Sequence, residues 1–349
     1  MDKRIVYRPL EKKEIPQVVS LFNTCCSSGE VVYSPIAESS FEKDFVQPNM
    51  YAFVAMDGEK LAGFVHGAQK SVFLPGQTHE NTPGYLTVIL VDTAYRRLGI
   101  GKKLVELLAD TFRQTGKKTI ACSEGNPLHL SWRIPGTPGH DHNKAPGVDE
   151  NCAGYPFLQR LGFEPKHHEI AMYMDLMDYV WPENMTLARE KLKSEGIYTG
   201  RYDVSLNYEF DGMCDRVNSE YWRHVLKTET EAWQKNVPNE DPDLWPDGLR
   251  PKGPRPILVA THENHIVGFT GPVDKQSSGR GWFTGICVDP NFGRRSIGEV
   301  LFHLLMQEFV DEGAAFTTLF TGLDNHAQRI YERAGLKVVC NFAVMARTL

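Results

Sequence analysis

Alternating apolar and polar positions over residues 4–8 predict an opening strand. A helix follows over 15–25, with Val18, Val19, Leu21 and Phe22 on one apolar face. Two apolar runs, 51–56 and 61–65, flank Asp57-Gly58 and read as a hairpin. The run 85–91 is a strongly apolar strand, followed by helix 100–112, strand 118–122, a short helix 155–161 stopped by Gly162, and strand 170–174. A charged, helix-prone stretch covers 182–196. The order then recurs: strand 202–208, helix 211–233, a Pro- and Asp-rich loop 236–256, a hairpin of 257–261 and 266–269 about Glu263-Asn264, strand 282–288, helix 296–312, strand 316–321, helix 327–334 and strand 338–345. Each half is a mixed, three-layer α/β unit, not a doubly wound parallel sheet.

The recurrence is also written in residues. Val91-Asp92-Thr93-Ala94-Tyr95-Arg96-Arg97-Leu98-Gly99-Ile100-Gly101 matches, without a gap, Val288-Asp289-Pro290-Asn291-Phe292-Gly293-Arg294-Arg295-Ser296-Ile297-Gly298. Each copy is a strand end, a basic turn with glycine, and the start of a helix. Arg160-Leu161-Gly162-Phe163 is echoed by Arg333-Ala334-Gly335-Leu336. From Gly101 to Gly298 is 197 residues and from Gly162 to Gly335 is 173, so the first half carries 24 extra residues, around 127–152. The duplication fixes two domains: 1–180 with the insert at about 127–152, a connector 181–199, and 200–349.

Composition narrows the partners. A net charge of -6 argues against broad nucleic-acid binding, which needs a basic face. No apolar run is long enough to cross a bilayer, and residues 1–8 lack the apolar core of a signal peptide. Seven cysteines without a CxxC pair fit a reduced, cytoplasmic chain. The insert holds His129, Trp132, Arg133, His140-Asp141-His142, Asp149 and Cys152. Without helix-spaced ligand pairs it predicts no metal. It reads as a polar surface loop, with a lid over the first cleft as the functional alternative.

The glycine turns fit neither a dinucleotide fingerprint, since Leu104 stands where a third glycine is needed, nor a Walker loop. They read either as helix starts with a glycine for packing or as anion sites at helix N-termini. Both halves resemble the GCN5-related N-acetyltransferases (GNAT), whose hallmark is a central strand, then [Arg/Gln]-x-x-Gly-x-[Gly/Ala], then a helix. Arg96-Arg97-Leu98-Gly99-Ile100-Gly101 matches in full; Gly293-Arg294-Arg295-Ser296-Ile297-Gly298 departs at its first position and at the middle glycine.

The resemblance implies two tandem GNAT folds, each a mostly antiparallel splayed sheet flanked by helices. It also implies that acetyl-CoA is the acyl donor. By this match Arg294, Arg295, Ser296, Ile297, Gly298 and Glu299 would bind its pyrophosphate in the second half, with Ile286 and Val288 on the pantetheine arm and Asn325 helping to hold that arm. Their counterparts in the first half are Arg96, Arg97, Leu98, Gly99, Ile100, Gly101 and Lys102, with Leu90 and Val91. The family's later motif matches Asn325-His326-Ala327-Gln328-Arg329-Ile330-Tyr331-Glu332-Arg333-Ala334-Gly335-Leu336. It makes Tyr331 the acid that protonates the departing thiolate. On spacing alone Tyr331 is a helix-face aromatic packed on the core. The first half has Leu158 at that position and Tyr155 a helical turn earlier.

Thr318-Leu319-Phe320-Thr321-Gly322 and Trp282-Phe283-Thr284-Gly285 look like segments of tandem GNAT enzymes that acetylate glucosamine and related amino sugars. The implied activity is N-acetylation of a primary amine on a small molecule, with the chemistry in the second half. A non-catalytic acyl-CoA sensor or scaffold is the alternative that two diverged units leave open. Glu209, Asp211, Glu263 and Asp324 are base candidates only in that they would border the cleft; each also reads as a solvated surface carboxylate.

Overall fold

The computed structural model describes residues 5–349, except 74–75, 129, 131, 138, 143, 207 and 240–252. His129 and most of the predicted 236–256 loop lie outside the described residues. In the first half the elements are β1 (Ile5–Pro9), α1 (Ile15–Ser27), α2 (Glu38–Phe45), β2 (Met50–Asp57), β3 (Lys60–Ala68), β4 (Gly84–Val91), α3 (Ile100–Gln114) and β5 (Thr119–Cys122). Then come β6 (Trp132–Arg133), β7 (Asp141–His142), β8 (Val148–Asp149), α4 (Gly154–Arg160) and β9 (Glu164–Asp175). The second half holds α5 (Glu183–Ser194), β10 (Tyr198–Arg201), α6 (Asp211–Val217), α7 (Glu220–Lys235), β11 (Leu258–His262), β12 (His265–Thr270) and β13 (Arg280–Trp282). It closes with β14 (Ile286–Val288), α8 (Ile297–Asp311), β15 (Phe316–Gly322), α9 (Gln328–Ala334) and β16 (Lys337–Thr348).

Two compact units result: residues 1–170 with 340–349, and residues 171–339. The boundaries 1–180, 181–199 and 200–349 follow the sequence repeat. The compact units follow packing, which assigns residues 340–349 to the first unit.

In the first unit β1, β2, β3 and β4 are successive antiparallel neighbours. β5 runs parallel to β4, and the end of β16 runs antiparallel to β5, with Met345 opposite Cys122. β4 and β5 pair only at Gly84↔Ile120 and Tyr85↔Ala121, so the rest of β4 up to Val91 has left its parallel neighbour. α3 covers one face through Ile100, Leu104, Val105, Leu108, Ala109 and Phe112, all buried at helical spacing. α1 and α2 cover the other. α2 has only Phe41 and Phe45 as its buried apolar pair, too sparse a pattern to read from sequence.

In the second unit β10, β11, β12 and β14 form an antiparallel sheet, and β13 pairs in parallel with β15. Gly84 and Gly281, at the same offset, each lie under a phenylalanine. A Cβ on either would fall 2.5 Å from Phe112 or 2.4 Å from Phe309. The duplication thus extends to a packing contact between central strand and helix.

Three predicted elements differ. The strand expected over 202–208 is β10, four residues earlier. Asp203 instead closes a side-chain turn, its Oδ1 accepting from the Ser205 amide at 2.9 Å, and Val204 and Leu206 are exposed. The helix expected over 211–233 is two helices, because Asn218 takes a left-handed conformation and Ser219 caps α7 by accepting from the Trp222 amide. The continuous strand expected over 282–288 is broken between β13 and β14, with Gly285 at φ +140.

The insert is not a surface loop. Leu128 and Leu130 are buried with Val88 and Leu90 in the cluster under α1 and α2. Trp132 is fully buried, its ring 5.2 Å from Phe342 and 5.5 Å from His142, and β8 pairs with Phe342 and Ala343.

Candidate active site

Both glycine turns fold alike. After Val91, Asp92 accepts from the Ala94 amide at 2.8 Å and caps a single 3₁₀ turn. After Val288, Asp289 does the same for Asn291 at 2.9 Å. Positive φ then falls at Arg97 (63°) and Gly99 (80°), and at Arg294 (62°) and Ser296 (64°). Alternation of this kind turns successive N–H groups to one side and forms a concave anion nest at the helix start. Among the described residues no acceptor meets the amides of 97–102 or 294–299; the helical ladder begins with Lys103 to Gly99 and Val300 to Ser296. Ser296 therefore adopts the backbone of the family's glycine, and without a capping bond from its hydroxyl.

The charges differ. Lys102 and Lys103 stand exposed in the first turn of α3, with no acidic residue there. In α8 the place of Lys102 is taken by Glu299, which Arg333 meets at 2.9 Å. Arg96 is held by Glu30 at 2.5 Å and by the Val91 carbonyl at 3.0 Å; Arg295 reaches Glu195 at 2.8 Å. Arg97, Lys102 and Arg294 make no ion pair among the described residues. Cations at a helix N-terminus are unfavourable by several tenths of a kcal/mol each until an anion joins them. The first turn is thus the more electropositive nest. Leu98 is exposed at its tip, whereas Ile100 and Ile297 are buried anchors.

Leu90 and Val91 lie opposite Phe64 and Gly63; Ile286 and Val288 lie opposite Thr270 and Gly268. In both units one edge of these strand ends is thus paired, and the other, on the side of the parallel strand, has no strand partner among the described residues. Gly101 and Gly298 sit under α4 and α9, where a Cβ would meet Phe157 at 3.1 Å and Ile330 at 3.4 Å.

Tyr331 lies on α9, 4% exposed, with its ring centroid 5.5 Å from Phe283 and 5.0 Å from Phe302. Phe283 belongs to the break in the central strand. Burial pushes the Tyr331 hydroxyl up to about 12, so it holds its proton at neutral pH. Leu158 is equally buried at the matching place, and Tyr155 packs half-buried against the same cluster. The Asn325 amide is engaged within its loop, donating to Thr321 at 2.8 Å and accepting from the Ala327 amide at 2.9 Å.

The sequence's base candidates lie at the surface. Glu209 faces His265, Asp211 pairs with Arg223, and Glu263 and Asp324 are exposed. The buried carboxylates are others. Glu229 on α7, 2% exposed, meets Arg255 at 2.6 Å; Asp274 meets Arg255 at 3.2 Å; and that guanidinium lies 5.8 Å over the Trp282 ring. Burial raises the Glu229 carboxyl, with Arg255 opposing. Asp289 is fully buried and accepts from Arg216 on both oxygens, Nε at 2.8 Å from Oδ1 and Nη2 at 2.5 Å from Oδ2; against the burial that would raise it, these bonds and the Asn291 amide hold its carboxyl below the usual aspartate range. Glu229 has no local signal in sequence, because its partner is 26 residues away; Asp289 stands in the repeated Val-Asp pair and caps Asn291 locally, but its Arg216 partner, 73 residues away, is not signalled.

All seven cysteines are unpaired thiols. Among the described residues no group of three His, Cys, Asp or Glu side chains is placed to hold a metal, and no helix is long and apolar enough to cross a membrane.

No curated protein matches the chain. The family model described as Acetyltransferase (GNAT) family matches twice, over residues 15–129 and 222–336. Among solved structures, one similar fold is the GCN5-related glucosamine N-acetyltransferase region of a fungal multi-domain GH3 β-N-acetylglucosaminidase. It has a TM-score of 0.62 and 16% identity, covering 99% of this chain but only 38% of that one. A GCN5-related N-acetyltransferase from Sphaerobacter thermophilus has a TM-score of 0.57 and 15% identity, covering 100% of this chain and 96% of the other. A tandem GNAT protein from the clavulanic acid biosynthesis pathway has a TM-score of 0.54 and 13% identity, covering 99% and 98%. At such identities the likeness is one of fold. With both halves matched and the turn geometry duplicated, the chain belongs to the GNAT acetyltransferase family and carries its fold twice.

Proposed function

We propose that the protein is an acetyl-CoA-dependent N-acetyltransferase that acylates a primary amine of a small molecule, with the chemistry in the second half. The observation that carries this reading is Tyr331, a buried, protonated hydroxyl packed on Phe283 at the break in the central strand. The amine nitrogen attacks the thioester carbonyl carbon, the C–S bond breaks, and Tyr331 protonates the leaving thiolate. The amine must arrive uncharged, and its surplus proton leaves to solvent.

The amides of Arg294–Glu299 receive the pyrophosphate in the second half, Ile286 and Val288 face the pantetheine arm, and Asn325 shapes the loop beside it. The first turn, Arg96–Lys102 with Leu90 and Val91, takes a second CoA. In the first unit Leu128 and Leu130 lie against the α1 and α2 face of the central strand, and Leu158 replaces the acid. These features support a first unit that binds but does not catalyse. An amino sugar is the favoured amine, supported by the segments 282–285 and 318–322. A reducing, cytoplasmic location fits the seven free thiols.

The non-catalytic sensor is favoured by Glu299, a negative charge at the second nest. Transfer of labelled acetyl groups to a panel of primary amines, glucosamine included, decides between the two. Acylation of at least one amine supports the enzyme, and CoA binding without any transfer supports the sensor.

A further inference from the structure

We propose that Thr284 receives and orients the acceptor amine, its hydroxyl oxygen accepting an N–H of the incoming nitrogen at the break in the central strand. The inference rests on the functional reading above and names the residue that selects the amine.

The β12–β14 ladder ends at Thr270↔Ile286. Beyond it two threonine hydroxyls replace the ladder bonds: Thr270 Oγ1 donates to the Gly285 carbonyl at 2.8 Å, and Thr284 Oγ1 donates to the Gly271 carbonyl at 2.6 Å. A carbonyl can only accept, so the single proton of Thr284 is committed to Gly271. Its lone pairs remain, and among the described residues no donor meets them. A half-buried oxygen in that state cannot polarise a thioester carbonyl, which needs a donor. It can hold an N–H.

Its surroundings agree. Phe283, one residue before, packs on Tyr331. Gly285, one residue after, lies so close to Trp222 that a Cβ would fall 2.5 Å from the ring. Thr284 is therefore the polar side chain of the three at the break. An amine held there keeps one N–H on Thr284 while its lone pair attacks the carbonyl carbon, and Tyr331 supplies the proton to sulfur.

The first unit carries the same hydroxyl at the same offset. Thr87 occupies a bulge, skipped between His66↔Val88 and Gly67↔Leu86, and lies 3.0 Å from the His66 carbonyl. There, however, the fully buried His66 ring closes on it. Nε2 faces the Phe45 carbonyl at 3.0 Å and so carries hydrogen; Nδ1, 2.5 Å from Thr87, competes with the His66 carbonyl for the single Thr87 proton, and the ring itself lies against the oxygen where an incoming amine would have to stand. In the second unit the residue whose carbonyl is met is Gly271, with no side chain to close the site.

The test uses the full chain. Initial rates are measured against each amine of the panel at saturating acetyl-CoA for wild type, Thr284→Val, Thr284→Ser, Thr270→Val and Thr87→Val, with CoA affinity by calorimetry. Thr284→Val is expected to lower kcat/KM for the amine by about 10- to 100-fold, the size of one lost hydrogen bond to a reacting group, and to leave CoA affinity within about 2-fold. Thr284→Ser restores most of the loss. Thr270→Val, which removes only the neighbouring structural bond, lowers the unfolding temperature without an amine-specific loss. The proposal is overturned by unchanged kcat/KM in Thr284→Val, by failure of serine to rescue, by an equal loss in Thr270→Val, or by a loss at Thr87 in place of Thr284. A wild-type chain that acylates no amine of the panel overturns the functional reading, and this inference with it.

Discussion

Replacing Tyr331 with phenylalanine separates chemistry from packing. The ring contacts with Phe283 and Phe302 survive, and only the hydroxyl is lost. If Tyr331 is the proton donor, kcat falls by about 10²-fold or more, the range for a general acid, which is about 2.7 kcal/mol of transition-state stabilisation. CoA affinity and the unfolding temperature stay close to wild type. The hydroxyl holds its proton up to about 12, so wild type and variant should differ by a constant factor from pH 6 to 9. A loss that vanished at one end of that range would point to a group of ordinary pKa instead. The assay is steady-state release of CoA thiol at saturating amine, with Tyr155→Phe in parallel. Near-wild-type turnover in Tyr331→Phe, or an equal loss in Tyr155→Phe, refutes the assignment.

Ser296→Gly should stabilise the second unit by up to about 1 kcal/mol, because it relieves a left-handed serine that makes no capping bond, although glycine returns some entropy to the unfolded chain; calorimetric melting reads this, and a lower melting temperature contradicts it. Glu299→Gln should tighten CoA binding at the second turn by about 2- to 5-fold by removing a negative charge from the nest, measured by isothermal titration. Lys102→Glu should weaken the first-turn site by about 10-fold; a stoichiometry of one CoA per chain that ignores this change would make the first turn structural. Arg216→Ala should destabilise the second unit at neutral pH. The Asp289 carboxyl is held below its ordinary value in the folded chain, so its contribution is present above that value and is lost as pH falls through the lower folded one. The gap between wild type and Arg216→Ala should therefore close in acid, and a gap constant down to acid unfolding would exclude the pair as its cause.

Local rules made much of the molecule legible. The helices α1, α3 and α8 follow from apolar residues at helical spacing, the β2–β3 and β11–β12 hairpins from Asp57-Gly58 and Glu263-Asn264, and the family from a strand–turn–helix written twice. What depended on distant partners was not legible. The break in the central strand lies in a segment that reads as one continuous strand, and it exists because Thr270, Thr284 and Trp222 replace the ladder there. The insert reads as polar, but Leu128, Leu130 and Trp132 are buried by contacts with strands and helices far along the chain. In sequence Glu209, Asp211, Glu263 and Asp324 are base candidates only as neighbours of the cleft, and each also reads as the surface carboxylate it is. Glu229 meets Arg255 and Asp289 meets Arg216 only because folding brings those partners to them. The sequence by itself determined the two folds and their turns, since periodicity and turn chemistry act over a few residues. The tertiary structure decided which hydroxyls and carboxylates are desolvated, because burial is a property of what packs against a residue.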